Sequence, residues 1–202
     1  MKLYYSPGAC SLSTHIVLCE TELTYDLVRV DLNTKSLENK QDFYKINPFG
    51  YVPALELKNG KILLEGPAII QYLADQVPEK QLAPVNGTFE RYQLQQQLNL
   101  ISTELHKGLG GLFNPAFSSD TQEIFKNNFS RRLDVLAPKL SDDSYLLGEQ
   151  FSVADAYLFT VLSWCPMVGF DLAKWPELVT YQQKIARRPS VQKALKEEGL
   201  LD

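Results

Sequence analysis

Lys2-Leu3-Tyr4-Tyr5-Ser6-Pro7-Gly8-Ala9-Cys10-Ser11-Leu12-Ser13 holds a strand, a turn and the start of a helix in twelve residues. Lys2 to Tyr5 is short and aromatic, as a strand should be, and Ser6-Pro7-Gly8 stops it. Leu12, Ile16, Cys19 and Leu23 then recur at helical spacing. Cys10 therefore falls at or just before a helix N-terminus, where unpaired N–H groups and the positive dipole end favour a thiolate. The thiol is expected to titrate low and to react.

Working outward, Asp26 to Val30 is β-branched and partly alternating, a second strand. Residues 36–46 read as a polar helix ended by Asn47-Pro48. Ala54-Leu55-Glu56-Leu57, Asn59-Gly60 and Lys61-Ile62-Leu63-Leu64 spell a β-hairpin with an Asn-Gly turn. A helix follows from Gly66, with Pro67 in its first turn and Ile69, Ile70, Leu73, Ala74 and Val77 on one face. The order βαβ, α, ββα is that of a thioredoxin-like domain over residues 1–77. Residues 78–86 carry Pro78, Pro84 and Asn86-Gly87 and read as a linker.

From residue 87 the pattern is helical throughout, so the expected fold class is an α/β thioredoxin-like domain followed by an all-α domain over 87–202. Leu94, Leu98, Ile101, Leu105, Leu109 and Leu112 form one apolar stripe. Asn99, Thr103, His106 and Gly110 lie within about 60° of one another on another face, a polar stripe kept apart from the core. Further helices are expected at 121–141, with a kink at Pro138, and at 153–165, 176–187 and 190–198. Ser152-Val153-Ala154-Asp155 reads as a structural capping box.

Composition narrows the class. The chain has 202 residues, 45% hydrophobic and 22% charged, with net charge -4. No apolar run approaches the roughly 20 residues of a membrane span. No basic cluster exceeds a pair such as Arg131-Arg132, so neither a membrane nor a nucleic acid is an expected partner. The N-terminus has no secretory h-region, so a cytoplasmic location is expected. Cys10, Cys19 and Cys165 form no CxxC and no metal-ligand spacing, so free thiols and no metal are expected. His15, among Ile16, Val17 and Leu18, reads as a structural histidine.

Two further motifs border the hairpin. Val52-Pro53 precedes it; the bond is either trans, as most X-Pro bonds are, or cis, which would turn the Val52 backbone outward to pair with an extended peptide. Glu65-Gly66-Pro67 sits at a strand-to-helix junction, where N–H groups bind carboxylates and the Glu65 carboxylate can pair with an ammonium. An α-amino acid head group carries both charges. The plain alternative is a first-turn Glu favoured by the helix dipole.

With these residues quoted, the chain resembles the cytosolic glutathione transferases, most closely the bacterial beta class. The resemblance rests on Lys2 to Tyr5, Pro7 to Leu12, Asn47-Pro-Phe-Gly-Tyr-Val-Pro53-Ala-Leu55, Leu64-Glu65-Gly66, Thr103-Glu-Leu-His106-Lys and Phe151-Ser-Val-Ala-Asp155-Ala-Tyr157. It implies a homodimer without a tightly bound cofactor, using glutathione as co-substrate against small hydrophobic electrophiles in detoxification. It implies glutathione paired to the Val52 backbone beside a cis Pro53, its γ-glutamyl head at Glu65 and Gly66 and its glycyl end near Lys35. Cys10 and His106 are then the catalytic residues, with Asn99, Thr103 and Glu104 approaching glutathione from the helical domain, some across the dimer interface. Tyr5, Leu109, Phe113 and Trp164 are the expected second-substrate pocket.

Many family members carry Ser or Thr where this chain has Gly66, so a hydroxyl contact to the γ-glutamyl carboxylate is missing and weaker binding is expected. Glu104 points about 130° from the polar stripe on an ideal helix. Other classes activate the thiol with a Tyr or a Ser, and Tyr5 and Ser11 are both present beside Cys10. Cys10 alone can form a mixed disulfide, which adds thiol-disulfide exchange or peroxide reduction to conjugation. A glutaredoxin-like oxidoreductase and a non-catalytic binding protein on the same fold are the alternatives.

Overall fold

The computed structural model describes residues 1–140 and 144–201. Its chain divides into two compact units, residues 1–81 with the segment from Arg187 onward, and residues 82–186.

The first unit is built on five strands: β1 (Lys2–Tyr5), β2 (Asp26–Asp31), β3 (Ser36–Leu37), β4 (Ala54–Glu56) and β5 (Ile62–Leu64). Their order is β3-β2-β1-β4-β5. β1 and β2 are parallel, Leu3 opposite Leu27, and every other pairing is antiparallel. A parallel pair needs a crossover, which α1 (Ser11–Thr21) supplies. The expected Asn59-Gly60 hairpin is present, Gly60 taking φ +80 as the tight turn requires. α2 (Gly66–Asp75) follows with Pro67 in its first turn.

Ser11 to Cys19 are all buried. A helix buried all round needs cover on more than one face. α1 packs against α2 and also against α8 (Pro189–Glu197), which belongs to this unit. The expected all-helical domain over 87–202 thus gives up its last helix. Arg188 Nε and Ser190 Oγ both donate to Glu20 Oε1, at 2.8 and 2.5 Å, fastening α8 to α1.

The polar helix expected over 36–46 is not formed. Lys35 and Lys40 adopt φ +53 and +63, which helices do not allow. Asn39 Oδ1 accepts from Gln41 N–H at 3.0 Å and Asp42 Oδ1 from Tyr44 N–H at 2.9 Å. These short side chains bind nearby backbone in competition with the helix, leaving β3 and one 3₁₀ turn, Phe43–Lys45.

In the second unit, α3 (Phe89–Leu100) runs through a π-helical turn at Ile101–His106 into α4 (Lys107–Gly110). α5 spans Ser119–Leu136 and gives way to a 3₁₀ turn at Ala137–Lys139, because Pro138 removes a helical donor. Of the helix expected at 121–141, Ser141 lies outside the described residues. α6 (Val153–Leu162) is buried along its whole length, and α7 covers Pro176–Ala186. Leu94, Leu98, Ile101, Leu105 and Leu109 are buried as their spacing predicts, whereas Leu112, in a 3₁₀ turn at Gly111–Phe113, is only half-buried.

The capping box forms in a particular way. Asp155 Oδ2 accepts from Ser152 N–H at 2.8 Å and from Ser152 Oγ–H at 2.7 Å, so the short acid does reach back. Asp155 Oδ1 also takes Leu146 N–H and the Tyr181 hydroxyl, joining the start of α6 to α7. Burial nevertheless holds the carboxyl above its usual range.

Candidate active site

In the first unit, the turn after β1 presents Cys10. Gly8 takes φ +70 in this turn. Ser11 Oγ accepts Ser6 N–H and donates to the Ser6 carbonyl, both at 3.2 Å, and is fully buried. Its hydroxyl is thus committed to holding the turn. Tyr5 is buried in β1 with its ring 6.2 Å from that of His15, so it faces the α1 side of the sheet. Burial and the Glu198 carboxylate raise its phenol pKa, which opposes phenolate chemistry. Of the three candidates for thiol activation, Cys10 is the one with partial exposure.

Cys10 is the N-cap residue of α1, as the sequence predicts. Its Sγ lies 3.0 Å from the Val52 carbonyl, donating the thiol proton. The Val52–Pro53 bond is cis. Glu65 has φ 69 and ψ 110, a conformation costly for a residue with a side chain, and its carboxylate makes no capping bond to α2. Backbone strain of this kind gathers at ligand sites. A Cβ on Gly66 would sit 3.7 Å from Pro53 Cγ, an ordinary contact. Space therefore does not demand glycine there. Lys35 Nζ donates to the Gly50 carbonyl at 2.9 Å and lies 5.7 Å from the Tyr51 ring. Gly50 is obligatory, since its φ is +66 and a Cβ would approach the Tyr44 ring to 2.8 Å.

The second unit gathers a different group. The π-helical turn holds Thr103, Glu104 and His106 together, and such turns often mark functional segments. His106 Nδ1 is 2.6 Å from the Tyr157 hydroxyl. The imidazole stands edge-on to Trp164, ring centroids 4.9 Å apart, and Trp164 meets Phe113 at 6.2 Å. Burial, followed by the charge of Lys107, pushes the His106 pKa down to about 4, so the ring is neutral at physiological pH. Leu109, expected on the pocket wall, is fully buried, whereas Phe113 is half exposed.

Asn99 and Thr103 are exposed, and the Thr103 hydroxyl donates to the Asn99 carbonyl at 3.0 Å. Glu104 is drawn to Arg132 of α5, Nε to Oε2 at 2.7 Å. That pair closes one side of a cleft of about 230 Å³, also lined by Thr103, Lys107 and Phe125. Tyr157 is a site neighbour that sequence reasoning missed. It stands in the run Ala156-Tyr157-Leu158-Phe159, where it reads as one more core aromatic.

One cluster brings metal-ligand types together. His15, Cys19 and Glu197 offer atoms within 4.8 Å of one another. The Tyr25 hydroxyl lies among them, 2.7 Å from Glu197 Oε2 and 3.3 Å from both His15 Nε2 and Cys19 Sγ. Both imidazole nitrogens are bonded to carboxylates, Nδ1 to Glu198 and Nε2 to Glu197. Burial alone would lower the His15 pKa, but hydrogen bonding to Cys19, Glu198 and Glu197 outweighs it and raises the value to about 10. The cluster is organised around a proton rather than an open coordination site.

Comparison with known proteins gives the family. Residues 8–76 match the family model for the glutathione S-transferase N-terminal domain, and residues 100–189 that for the C-terminal domain. Glutathione S-transferase GstA of Escherichia coli O157:H7 is 46% identical over 201 residues, covering 99% of this chain and 100% of that protein. The ternary complex of BphK, a bacterial glutathione transferase, superposes with TM-score 0.97 at 55% identity, over 99% of this chain and 100% of that one. The beta class enzyme of Sphingomonas chungbukensis gives TM-score 0.95 at 46% identity, over 100% of both chains. A turn that presents a helix-capping cysteine to the backbone before a cis proline thus comes with full-length likeness in both sequence and fold, and the chain belongs to the glutathione S-transferase family as a glutathione transferase.

Proposed function

We propose that this transferase activates glutathione beside Cys10 and conjugates it to small hydrophobic electrophiles, with thiol-disulfide exchange as a second activity of Cys10. The observation that carries the reading is the 3.0 Å contact between Cys10 Sγ and the Val52 carbonyl. It sets the Cys10 thiol on the backbone that an extended peptide would pair with. The γ-glutamyl head then lies at Glu65 and Gly66, carboxylate toward the α2 N-terminus and ammonium toward Glu65. The glycyl carboxylate takes Lys35, which leaves the Gly50 carbonyl to do so.

In conjugation the glutathione thiolate attacks an electrophilic carbon and the leaving group departs with the bonding pair. In exchange the Cys10 thiolate attacks oxidised glutathione, forms a mixed disulfide and releases one glutathione thiolate. The helical unit contributes His106, Phe113 and Trp164 as an aromatic wall for the second substrate, with Leu109 buried in the core of that unit. Asn99, Thr103 and Glu104 serve the polar end of glutathione, and Glu104 must share its carboxylate with Arg132 to do so. The protein acts as a cytoplasmic homodimer without a tightly bound cofactor. Among the described residues no helix is long and apolar enough to cross a membrane.

Retention on immobilised glutathione, then assays with a halogenated aromatic and with a glutathione mixed disulfide, test the reading. Activity on neither substrate overturns it.

A further inference from the structure

His106 has two nitrogens, and the structure gives them different partners. Nδ1 faces the hydroxyl of Tyr157, a side chain 3% exposed on the fully buried helix α6. The ring also stands edge-on to Trp164 and to Tyr157, at centroid distances of 4.9 and 5.8 Å. A flip that exchanged the nitrogens would break the bond to Tyr157.

The O···N separation of 2.6 Å makes this a direct hydrogen bond, whose direction is set by the tautomer of the ring. A phenol is the more acidic partner of a neutral imidazole. That difference in acidity makes Tyr157 the donor and Nδ1 the acceptor. A neutral ring that accepts at Nδ1 carries its hydrogen at Nε2.

We infer that Tyr157 is a positioning residue that fixes His106 as the Nε2–H tautomer, so that His106 serves as a neutral hydrogen-bond donor to an anion in the site rather than as a general base. The inference rests on the place given to His106 under Proposed function and decides its role there. The anion is a thiolate or the charge that develops on the second substrate as the new C–S bond forms. No proton changes owner at His106: Nε2–H stays bonded to nitrogen while the negative charge gathers opposite it. A preset donor of this kind acts without reorganisation in a largely desolvated pocket. The low basicity of the ring is then an advantage, since a neutral imidazole keeps its Nε2–H over the whole physiological range.

The chain has two histidines, so nitrogen-15 spectra of the labelled protein read each ring directly. His15 gives a doubly protonated ring and His106→Ala assigns the other. The expected wild-type signature is a protonated Nε2 and an unprotonated Nδ1. Tyr157→Phe keeps the ring volume and removes the donor; it should show two exchanging tautomers and a kcat about tenfold lower at unchanged KM for glutathione.

His106→Gln supplies an N–H near the position of Nε2 but no base. It should stay within about tenfold of wild type, while His106→Ala falls about a hundredfold, the scale of losing one preorganised donor. A wild-type ring protonated at Nδ1 overturns the inference whatever the activities are. Equal loss in the Gln and Ala variants also overturns it, because it makes His106 a base. Full activity in His106→Ala removes His106 from the site, and with it that part of the proposed function, while the tautomer reading and the Cys10 assignment stand on their own measurements.

Discussion

Glu198 Oε1 lies 2.9 Å from His15 Nδ1, joining residues 183 positions apart inside one folded unit. Both side chains are fully buried. The other carboxylate oxygen of Glu198 accepts the Gly8 N–H at 2.9 Å, two residues before Cys10. One acid from the end of α8 thus holds the buried charge of α1 and the turn that presents the reactive thiol. Glu197 completes the pairing from a half-exposed position, and the Tyr25 hydroxyl steadies it.

Glu198→Gln is expected to lower unfolding free energy by about 3–5 kcal/mol, the scale of leaving a buried ion without its partner. Urea titration at neutral pH measures it. A change below about 1 kcal/mol means that His15 is neutral in the folded protein.

The same pair sets a pH dependence. The His15 pKa is about 10 folded and 6.5 unfolded, so the folded state binds the extra proton. Its stabilisation is complete below pH 6.5, declines as pH rises and is gone above about pH 10. Urea midpoints at about pH 6 and about pH 9 should fall in wild type and much less in His15→Phe. Equal slopes in the two proteins remove His15 as the cause.

Glu65 holds a strained backbone at φ 69. Glu65→Gly relieves φ 69 and should stabilise the fold by about 1 kcal/mol, while Glu65→Ala keeps the strain. Both should weaken glutathione binding by about 1.5–3 kcal/mol, the worth of a hydrogen bond to a charged group. Calorimetry showing unchanged affinity removes Glu65 from the site.

Gly66→Ser fits beside Pro53 without a clash and restores the missing hydroxyl. Glutathione affinity should improve by about 1 kcal/mol. An unchanged dissociation constant shows that the backbone N–H alone already satisfies the γ-glutamyl carboxylate.

The Cys10 thiol donates to the Val52 carbonyl. Incubation with oxidised glutathione should add one glutathione mass to wild type and none to Cys10→Ala. An equal adduct on both proteins assigns the redox chemistry elsewhere.

The sequence was most informative where local chemistry decides structure. Lys2 to Tyr5, the Asn59-Gly60 turn and Pro67 each impose one conformation through their own backbone or side chains, and the cysteine at the cap of α1 followed from them. Residues 36–46 were misread because composition looked helical while Asn39 and Asp42 bind nearby backbone donors. The π-helical turn left no trace, since Ile101 and Leu105 keep the spacing of an ordinary helix. Tyr157 stayed hidden because a phenol that orients a histidine 51 positions away looks, in sequence, like any buried aromatic. The return of α8 was hidden too, because its apolar face does not name the surface that it covers.

That return matters during synthesis on the ribosome. Residues 1–81 emerge first, yet their unit lacks the helix that covers α1 until residues 187–198 have been made, after the whole of the second unit. At about 5–20 residues per second, α1 waits many seconds with His15 lacking both carboxylates. The unit begun first is therefore finished last, and a nascent chain paused near residue 186 carries a complete helical unit behind an unfinished cysteine-bearing one.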